Sequence, residues 1–381
     1  MKKILICNIY KMYTTNSIVK AFKKFGFMVK ENNYYIGNEI SDEEKFERML
    51  LSDLKSDNYD FVFTINYSPI VSKTCYKSNC KYVSWTYDTP MNLFSMETLD
   101  NPNNYVFIFD NAEYQKYKRE GLDTVYYLPL ATGFASDSYK IITYDYEVSF
   151  LGNLYRSTYP YLKEKLDEYH KGFLDGIITS QRNIYGSYFI LDVLKAQESE
   201  IKDINRMIGI DLLPEQLSYS LAAYITYLDR LSILSIMSRQ FNTALVTDSL
   251  EKEEIKLMSK LTVLPKKDYY NEMPEFFRKT KINLNPQFRA VWSAIPQRAL
   301  DIMSSGGFLL SGYTEELAYY FENGKELILY DSIEDAVEKA YYYLKNDEIR
   351  EEIKKAGYRK TNKYFTYENR IKEILQVIDI V

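Results

Sequence analysis

The 381-residue chain has a single histidine, His170, and only three cysteines, Cys7, Cys75 and Cys80. No CxxC pairs with a second CxxC or with HxxxH, so the familiar zinc patterns are excluded. An odd number of thiols with no paired spacing gives no disulfide framework and reads as free cysteines in a reducing compartment. A basic excess is also missing: 48 Lys and Arg stand against 53 Asp and Glu, a formal charge of −5. Phosphate backbones require a basic face, so nothing points to a nucleic-acid partner. No apolar run approaches the length that spans a bilayer. The opening MKKILICNIYKMYTT has an apolar run of four residues, too short for a signal-peptide core. A cytoplasmic protein is expected. The pattern G-x-G-x-x-G is absent, which counts against a dinucleotide oxidoreductase. The chain carries no internal repeat and no low-complexity segment.

What is present is an ordinary globular composition, 46% apolar and 27% charged, with length enough for two domains. Tyrosine is abundant, at 38. A stacking surface would explain this, and so would AT-rich codon usage, which also favours Lys, Ile and Asn. KKILICNIY, YDFVFTINY, CKYVSWTYD, NYVFIFD and DTVYYLPLA read as short buried strands. Helical patterns such as NSIVKAFKKFGF, with Ile18, Phe22 and Phe25 on one face, and NAEYQKYKREG separate several of them. A polar linker, TGFASDSYKIITYD (132–145), precedes a new strand, YEVSFLGNLY. From Thr158 to Arg239 the pattern is helical with no clear strand. Alternation resumes with FNTALVTD, KLTVLP, KINLN, GGFLLSG and KELILYD, and the end of the chain is helical. Strands alternating with helices predict parallel sheets covered on both faces. The expected fold is α/β with two doubly wound, Rossmann-like domains and a helical insertion in the second. The domains are placed at 1–145 and 146–360 (helical region about 160–235), with a last helix at 361–381 that can cross back to the first. The cleft between them is the default site.

The stretch INLNPQFRAVWSAIPQRALDIMSSGGFLLSGYTEEL, residues 282–317, is the most distinctive. Pro296 suits the first position of a helix. Ala299, Leu300 and Met303 line one face of that helix, with Gln297, Arg298 and Asp301 on the other. Gly306 and Gly307 end it, supplying positive φ or a close backbone approach. A first-turn arginine opposes the helix dipole, unless an anion docks there and Arg298 joins the exposed N–H groups in holding it. Asp301 could then accept from paired ribose hydroxyls. The plainer reading is an exposed Arg298–Asp301 ion pair worth at most about 0.5 kcal/mol. Pattern alone leaves the two level.

This stretch and its continuation to FTYENR (365–370) resemble the C-terminal domain of GT-B glycosyltransferases of the CgeB-like (spore maturation protein) family. There a P-x-R-x-x-E helix precedes GGFLL, TEEL and GKELxxY. YVSWTYDTPMNLF, YYLPLATG and VSFLGNLYRSTYP resemble the same family. The family's helix glutamate stands here as Asp301. The resemblance implies transfer of a sugar from a nucleoside-diphosphate donor, UDP-linked by preference, to a glycan or glycoprotein acceptor. It places the donor on the C-terminal domain and the acceptor on the N-terminal one. Asp301 would hold the ribose and Arg298 or Arg289 the diphosphate. Gly152 and Asn153 would line the phosphate side, and the LPKKDYY loop, with Lys266 and Tyr269, would seat the base. Asn285, Thr314 and Glu315 complete the implied donor site. Related retaining enzymes carry two glutamates eight residues apart around this helix; the upstream position here is Ser293, so the anomeric outcome stays open.

The metal-binding Asp-x-Asp of the other large glycosyltransferase fold is absent, which favours an arginine-assisted mechanism with no metal and no cofactor beyond the donor. If the reaction inverts, Asp88 in WTYDTP is the candidate base, against the simpler role of shaping the turn before Pro90. Asp110, ending NYVFIFD, is a second, weaker candidate base, more simply read as an N-cap because a helix follows, and His170, in the polar stretch DEYHKGF, reads as a solvated surface residue. Trp85 and Trp292 read as core aromatics before stacking platforms. For the helical region three roles stand: an acceptor platform, a homodimer contact, or padding. Two other functions compete: a catalytically silent GT-B binding or scaffolding protein, and a sugar-nucleotide epimerase or hydrolase.

Overall fold

The computed structural model describes residues 2–9, 12–34, 40–91, 96–134, 143–258 and 260–380. The chain divides into two compact units, Met1–Gly133 with Lys363–Val381, and Phe134–Asn362. Most of the linker read at 132–145, and residues 92–95 of the WTYDTPMNLF stretch, lie outside the described residues.

The first unit runs β1 (Lys3–Asn8), α1 (Thr15–Lys24), β2 (Met28–Asn33), α2 (Ile40–Ser56), β3 (Phe61–Ile65), α3 (Pro69–Lys77), β4 (Lys81–Trp85), β5 (Asn104–Ile108), α4 (Asn111–Arg119) and β6 (Val125–Tyr127). Its parallel sheet has the order β2-β1-β3-β4-β5-β6. Ile4, Leu5, Phe61, Val62, Phe63 and Val83 are fully buried, as central strands covered on both faces require. Strand β2, MVKENN, escapes the sequence reading because it is an edge strand, mostly exposed and polar. Phe25, read as part of the apolar face of α1, caps that helix and stays 38% exposed.

The second unit contains β7 (Tyr146–Leu151), then α5 (Tyr159–Lys163), α6 (Glu168–Arg182), α7 (Ile190–Ala196), α8 (Glu198–Ile208) and α9 (Pro214–Gln240). There follow β8 (Thr243–Val246), α10 (Lys252–Leu257), β9 (Thr262–Leu264), α11 (Met273–Arg278), β10 (Thr280–Asn285), α12 (Gln297–Ser304), β11 (Leu309–Gly312), α13 (Glu315–Tyr320), β12 (Ile328–Tyr330), α14 (Ile333–Lys345) and α15 (Asp347–Tyr364). The sheet order β12-β11-β10-β7-β8-β9 is parallel throughout. Two Rossmann-like sheets are therefore present, as expected. In this order the chain reverses direction between β7 and β10, and open α/β sheets place ligands at the carboxyl ends of strands flanking such a switch.

Helices α5 to α9 build a core of their own from Tyr159, Leu174, Ile177, Ile190, Leu194, Ile204, Leu217, Leu221 and Ile225. The last helix, α16 (Tyr367–Val377), returns to the first unit. There Thr132 N–H donates to the Phe365 carbonyl at 2.9 Å and Thr132 bridges Thr366 in parallel.

Two local devices set these frames. In the first unit the connection after β4 is held by Glu113 of α4. Its carboxylate accepts from the Thr89 hydroxyl at 2.7 Å and the Met91 N–H at 2.6 Å. Burial pushes the Glu113 carboxyl up from 4.5 to about 7, and Asp110 adds to the rise, against the opposing pull of the Thr89 and Met91 donors and Lys116. In the second unit, Gly357 of α15 passes so close to the loop before β12 that a Cβ there would lie 2.3 Å from the Glu326 carbonyl oxygen.

Both give testable expectations. Glycine to alanine inside an exposed helix stabilises by about 1 kcal/mol through propensity. Gly357→Ala should instead lower the thermal midpoint, because the carbonyl it meets is backbone and cannot swing away; a raised midpoint would contradict the close approach. For Glu113, the folded chain holds the proton more tightly than the unfolded chain. Its contribution to stability therefore declines as pH rises from about 4.5 to about 7, by up to about 1.4 kcal/mol per pH unit. Urea unfolding across that window should show a shallower decline for Glu113→Gln than for wild type, and parallel curves would rule the clamp out as the source.

Candidate functional site

Helix α12 is where the sequence-level reading converges. Pro296, read as its first residue, is its N-cap, with φ −63° and ψ 138°. The helix closes with the Gly306 N–H on the Met303 carbonyl and the Gly307 N–H on the Ile302 carbonyl, both 2.9 Å. Gly306 takes φ +82°, and a Cβ on Gly307 would lie 2.8 Å from Asn283 Nδ2. The Gly-Gly pair thus meets both demands expected of it, a left-handed cap and a tight approach.

Asp301 corrects the sequence picture. Read as lying on the polar side of the helix, its side chain is 0% exposed. Its Oδ1 accepts from the Tyr269 phenol at 2.9 Å and from Gln297 Nε2 at 3.0 Å. Its Oδ2 faces Arg298 Nη1 at 3.6 Å. The Arg298–Asp301 pair is therefore not the exposed ion pair of the plainer reading, since one partner is sealed from water. The Arg298 guanidinium rests on Met273 Sδ at 3.3 Å and 5.6 Å from the Phe277 ring centre. Tyr269, Arg298 and Asp301 thus meet in one cluster.

Arg289 is held on several sides. It donates to Asp229 through Nε at 3.0 Å and Nη2 at 2.9 Å, and to the carbonyls of Ile184 and Arg182 at 3.1 Å each. Its guanidinium also stacks 3.7 Å from the Tyr185 ring centre. Arg289 is thus anchored by the protein while it lines a small cavity with Tyr185, Asp229 and Pro286. Asn285 ties β10 to β11 through the Ser311 hydroxyl at 2.9 Å. Thr314 is the N-cap of α13, accepting from the Leu317 N–H at 3.1 Å. Glu315 is exposed in the first turn of that helix, and Lys266 is exposed with Asp248 at 3.7 Å. Gly152 and Asn153 follow β7, where the Gly152 N–H donates to the Val246 carbonyl at 3.0 Å.

In the first unit, Asp88 is exposed beyond the end of β4. Its Oδ2 accepts from Asn66 Nδ2 at 2.6 Å, while Asn66 Oδ1 accepts from the Tyr87 and Asp88 N–H groups at 2.7 and 3.2 Å. Asn66 sits at φ +62°, a conformation asparagine tolerates. The turn-shaping role considered for Asp88 is realised by this exchange, and the carboxylate still meets solvent. Asp110 caps α4, accepting from the Ala112 and Glu113 N–H groups at 3.0 and 3.3 Å.

Three features escaped the sequence. His170 is not a solvated residue: only 7% exposed, it lies 2.8 Å from Asp167 and 3.4 Å from Glu200, because α6 and α8 pack together over it. Glu316, beside the Glu315 that was chosen, is buried and accepts from the Ser293 hydroxyl at 2.9 Å. Asp229 and Arg230 of α9 reach the carboxyl ends of the strands: Asp229 pairs with Arg182 at 3.0 Å as well as Arg289, and Arg230 donates to the Pro286 and Asn153 carbonyls. Acid and cation side by side in a helical stretch read as surface charge, so only tertiary contact reveals them.

Residues 252–376 match the family model described as glycosyl transferase-like. No curated protein matches the chain by sequence. Among solved structures, a glycosyltransferase from Rickettsia africae superposes with a TM-score of 0.62 at 10% identity, covering 99% of this chain and 98% of its own. HepE from Anabaena, in complex with UDP and glucose, gives 0.61 at 10% identity with full coverage of both chains. Sucrose-phosphate synthase from Thermosynechococcus elongatus gives 0.60 at 9% identity, covering 100% and 98%. Among the described residues no helix is long and apolar enough to cross a membrane. The chain has the two-sheet α/β fold of these GT-B glycosyltransferases along its whole length, and residues 252–376 carry a glycosyl transferase-like domain.

Proposed function

We propose that the chain is a glycosyltransferase of the CgeB-like type, moving a sugar from a UDP-linked donor to a hydroxyl of a glycan or protein acceptor. One observation carries the reading. The segment matched as glycosyl transferase-like, 252–376, contains the Tyr269–Arg298–Asp301 cluster at the start of α12, and the whole chain superposes on a glycosyltransferase that binds UDP and glucose. We place the donor on the second unit. Its ribose hydroxyls would replace the Tyr269 phenol on Asp301, an exchange of one hydroxyl donor for another. Arg298, released from its 3.6 Å approach to Asp301, would turn to the diphosphate with the exposed N–H groups of α12. As the glycosidic bond to the diphosphate breaks, charge builds on the leaving oxygens, and fixed cations stabilise it without a metal. Asp88, exposed and oriented by Asn66, is the base proposed for the acceptor hydroxyl. We place the protein in the cytoplasm, where free thiols at Cys7, Cys75 and Cys80 persist.

A catalytically silent binding protein is the second reading, favoured by the sealed Asp301, which an incoming ribose must first unlock. Product formation separates the two.

Saturating UDP or a UDP-sugar should raise the thermal midpoint, since ligand at a hundredfold excess over Kd stabilises by about 2.7 kcal/mol. Arg298→Ala should abolish the rise. Mass spectrometry with a panel of UDP-sugars should show UDP release and an acceptor heavier by one sugar. Donor consumed with no acceptor present would point instead to an epimerase or hydrolase. Absence of any shift with UDP-, GDP- or dTDP-linked compounds would remove the transferase reading.

A further inference from the structure

Four arginines are buried among the described residues: Arg230, Arg289, Arg350 and Arg370. Three of them answer a carboxylate, Arg289 with Asp229 at 2.9 Å, Arg350 with Asp347 at 2.7 Å and Arg370 with Glu373. Arg230 has no carboxylate within 4.0 Å among the described residues, although it is only 7% exposed. Its partners are carbonyls: Nε and Nη2 donate to Pro286 at 3.0 and 2.7 Å, and Nη1 donates to Asn153. A guanidinium has five N–H donors, so two remain beyond these three bonds. Rings flank it, Phe150 at 5.0 Å and Tyr155 at 4.8 Å from centre to guanidinium carbon.

A desolvated cation without an anion is costly to a fold, and a tie between two loops needs no charge. The location supplies the reason for keeping it. Asn153 follows β7 and Pro286 follows β10, the two strands between which the chain reverses direction. Arg230 thus spans the carboxyl ends of the strands where an open parallel sheet receives its ligand. Burial holds its guanidinium down at about 10, and Arg298 is near enough to push in the same direction. Nearby, Arg182 and Arg289 share the Asp229 carboxylate and Arg298 faces Asp301.

We infer that Arg230, fixed by the Asn153 and Pro286 carbonyls at the ends of β7 and β10, is a cation of the donor's diphosphate subsite, contributed by helix α9. This rests on the glycosyltransfer reading and deepens it. Arg230 acts there as a preset donor: its geometry is established before ligand arrives, so little side-chain order remains to be lost on binding. Arg298 is the adjustable partner, freed from Asp301 as the nucleotide enters.

The test is titration calorimetry of UDP and uridine, which differ only in the diphosphate. Arg230→Gln should weaken UDP about 10- to 100-fold while leaving uridine within about twofold. Tyr155→Asp is the companion variant, at a residue 37% exposed and at φ +62°, where aspartate is tolerated. It sets a competing carboxylate beside the guanidinium and should weaken UDP selectively, whereas Tyr155→Asn, which loses the same 4.3 Å stack on Phe288 without adding charge, should not. Equal weakening of UDP and uridine in a folded variant, or unchanged UDP affinity in Tyr155→Asp, would overturn the inference and leave the glycosyltransfer reading standing. A wild-type protein that binds none of UDP, GDP and dTDP would overturn both.

Discussion

Asp301 is a carboxylate with no contact to solvent, lodged in a short helix at the carboxyl edge of a parallel sheet. Burying such a charge is tolerable only if donors converge on it, and two elements are recruited to supply them. The loop after β9 brings the Tyr269 phenol, and α12 itself brings Gln297 and Arg298. The demand of one side chain therefore fixes the conformation of a neighbouring loop and draws a first-turn arginine back along its helix. It also answers why an arginine opens a helix whose positive end should repel it: the buried acid one turn on offsets the dipole. The cluster satisfies its buried acid from the protein alone.

The sheet imposes the second constraint. Parallel strands end together, and at that edge the connections after β7 and β10 diverge because the chain switches direction between them. Loop carbonyls left there need donors. Arg230 provides them on both sides of the switch, while Arg289, three residues beyond Pro286 in the same connection, is neutralised by Asp229 and covered by Tyr185. Two arginines at the same edge thus take opposite roles, and the division is set by which one shares a carboxylate.

The fold was legible because its signals are local. Buried central strands write themselves as runs such as ILIC and FVFTI, and the caps and Gly-Gly stop around α12 are written in three or four residues. An edge strand such as MVKENN has no such run. At the site, Arg298, Asp301 and Tyr269 could be picked out through a short motif and the loop that follows β9. Burial could not: helical spacing set Asp301 opposite the apolar face, yet Tyr269, 32 residues away in sequence, covers it. Between adjacent glutamates at 315 and 316, the pattern offered no way to see which one turns inward to Ser293. His170 misled for the same reason, since its polar neighbours occupy other faces of α6.

Helix α9 shows why the helical region is more than an appendage. Its first half, through Leu217, Leu221, Ala222 and Ile225, belongs to the core shared with α5 to α8. Its second half, through Ile233, Leu234 and Met237, belongs to the core beneath the sheet. The residues at the join are Thr226, Asp229 and Arg230, and all three reach the segment after β10: Thr226 accepts from the Arg289 N–H at 2.9 Å, Asp229 takes its guanidinium, and Arg230 holds the Pro286 carbonyl. Phe288 and Ala290 of that segment pack back into the helical core. One continuous helix, 27 residues long, therefore carries any displacement of the helical region directly to the strand ends. A rigid rod shared by two cores transmits shifts because close-packed interiors yield little.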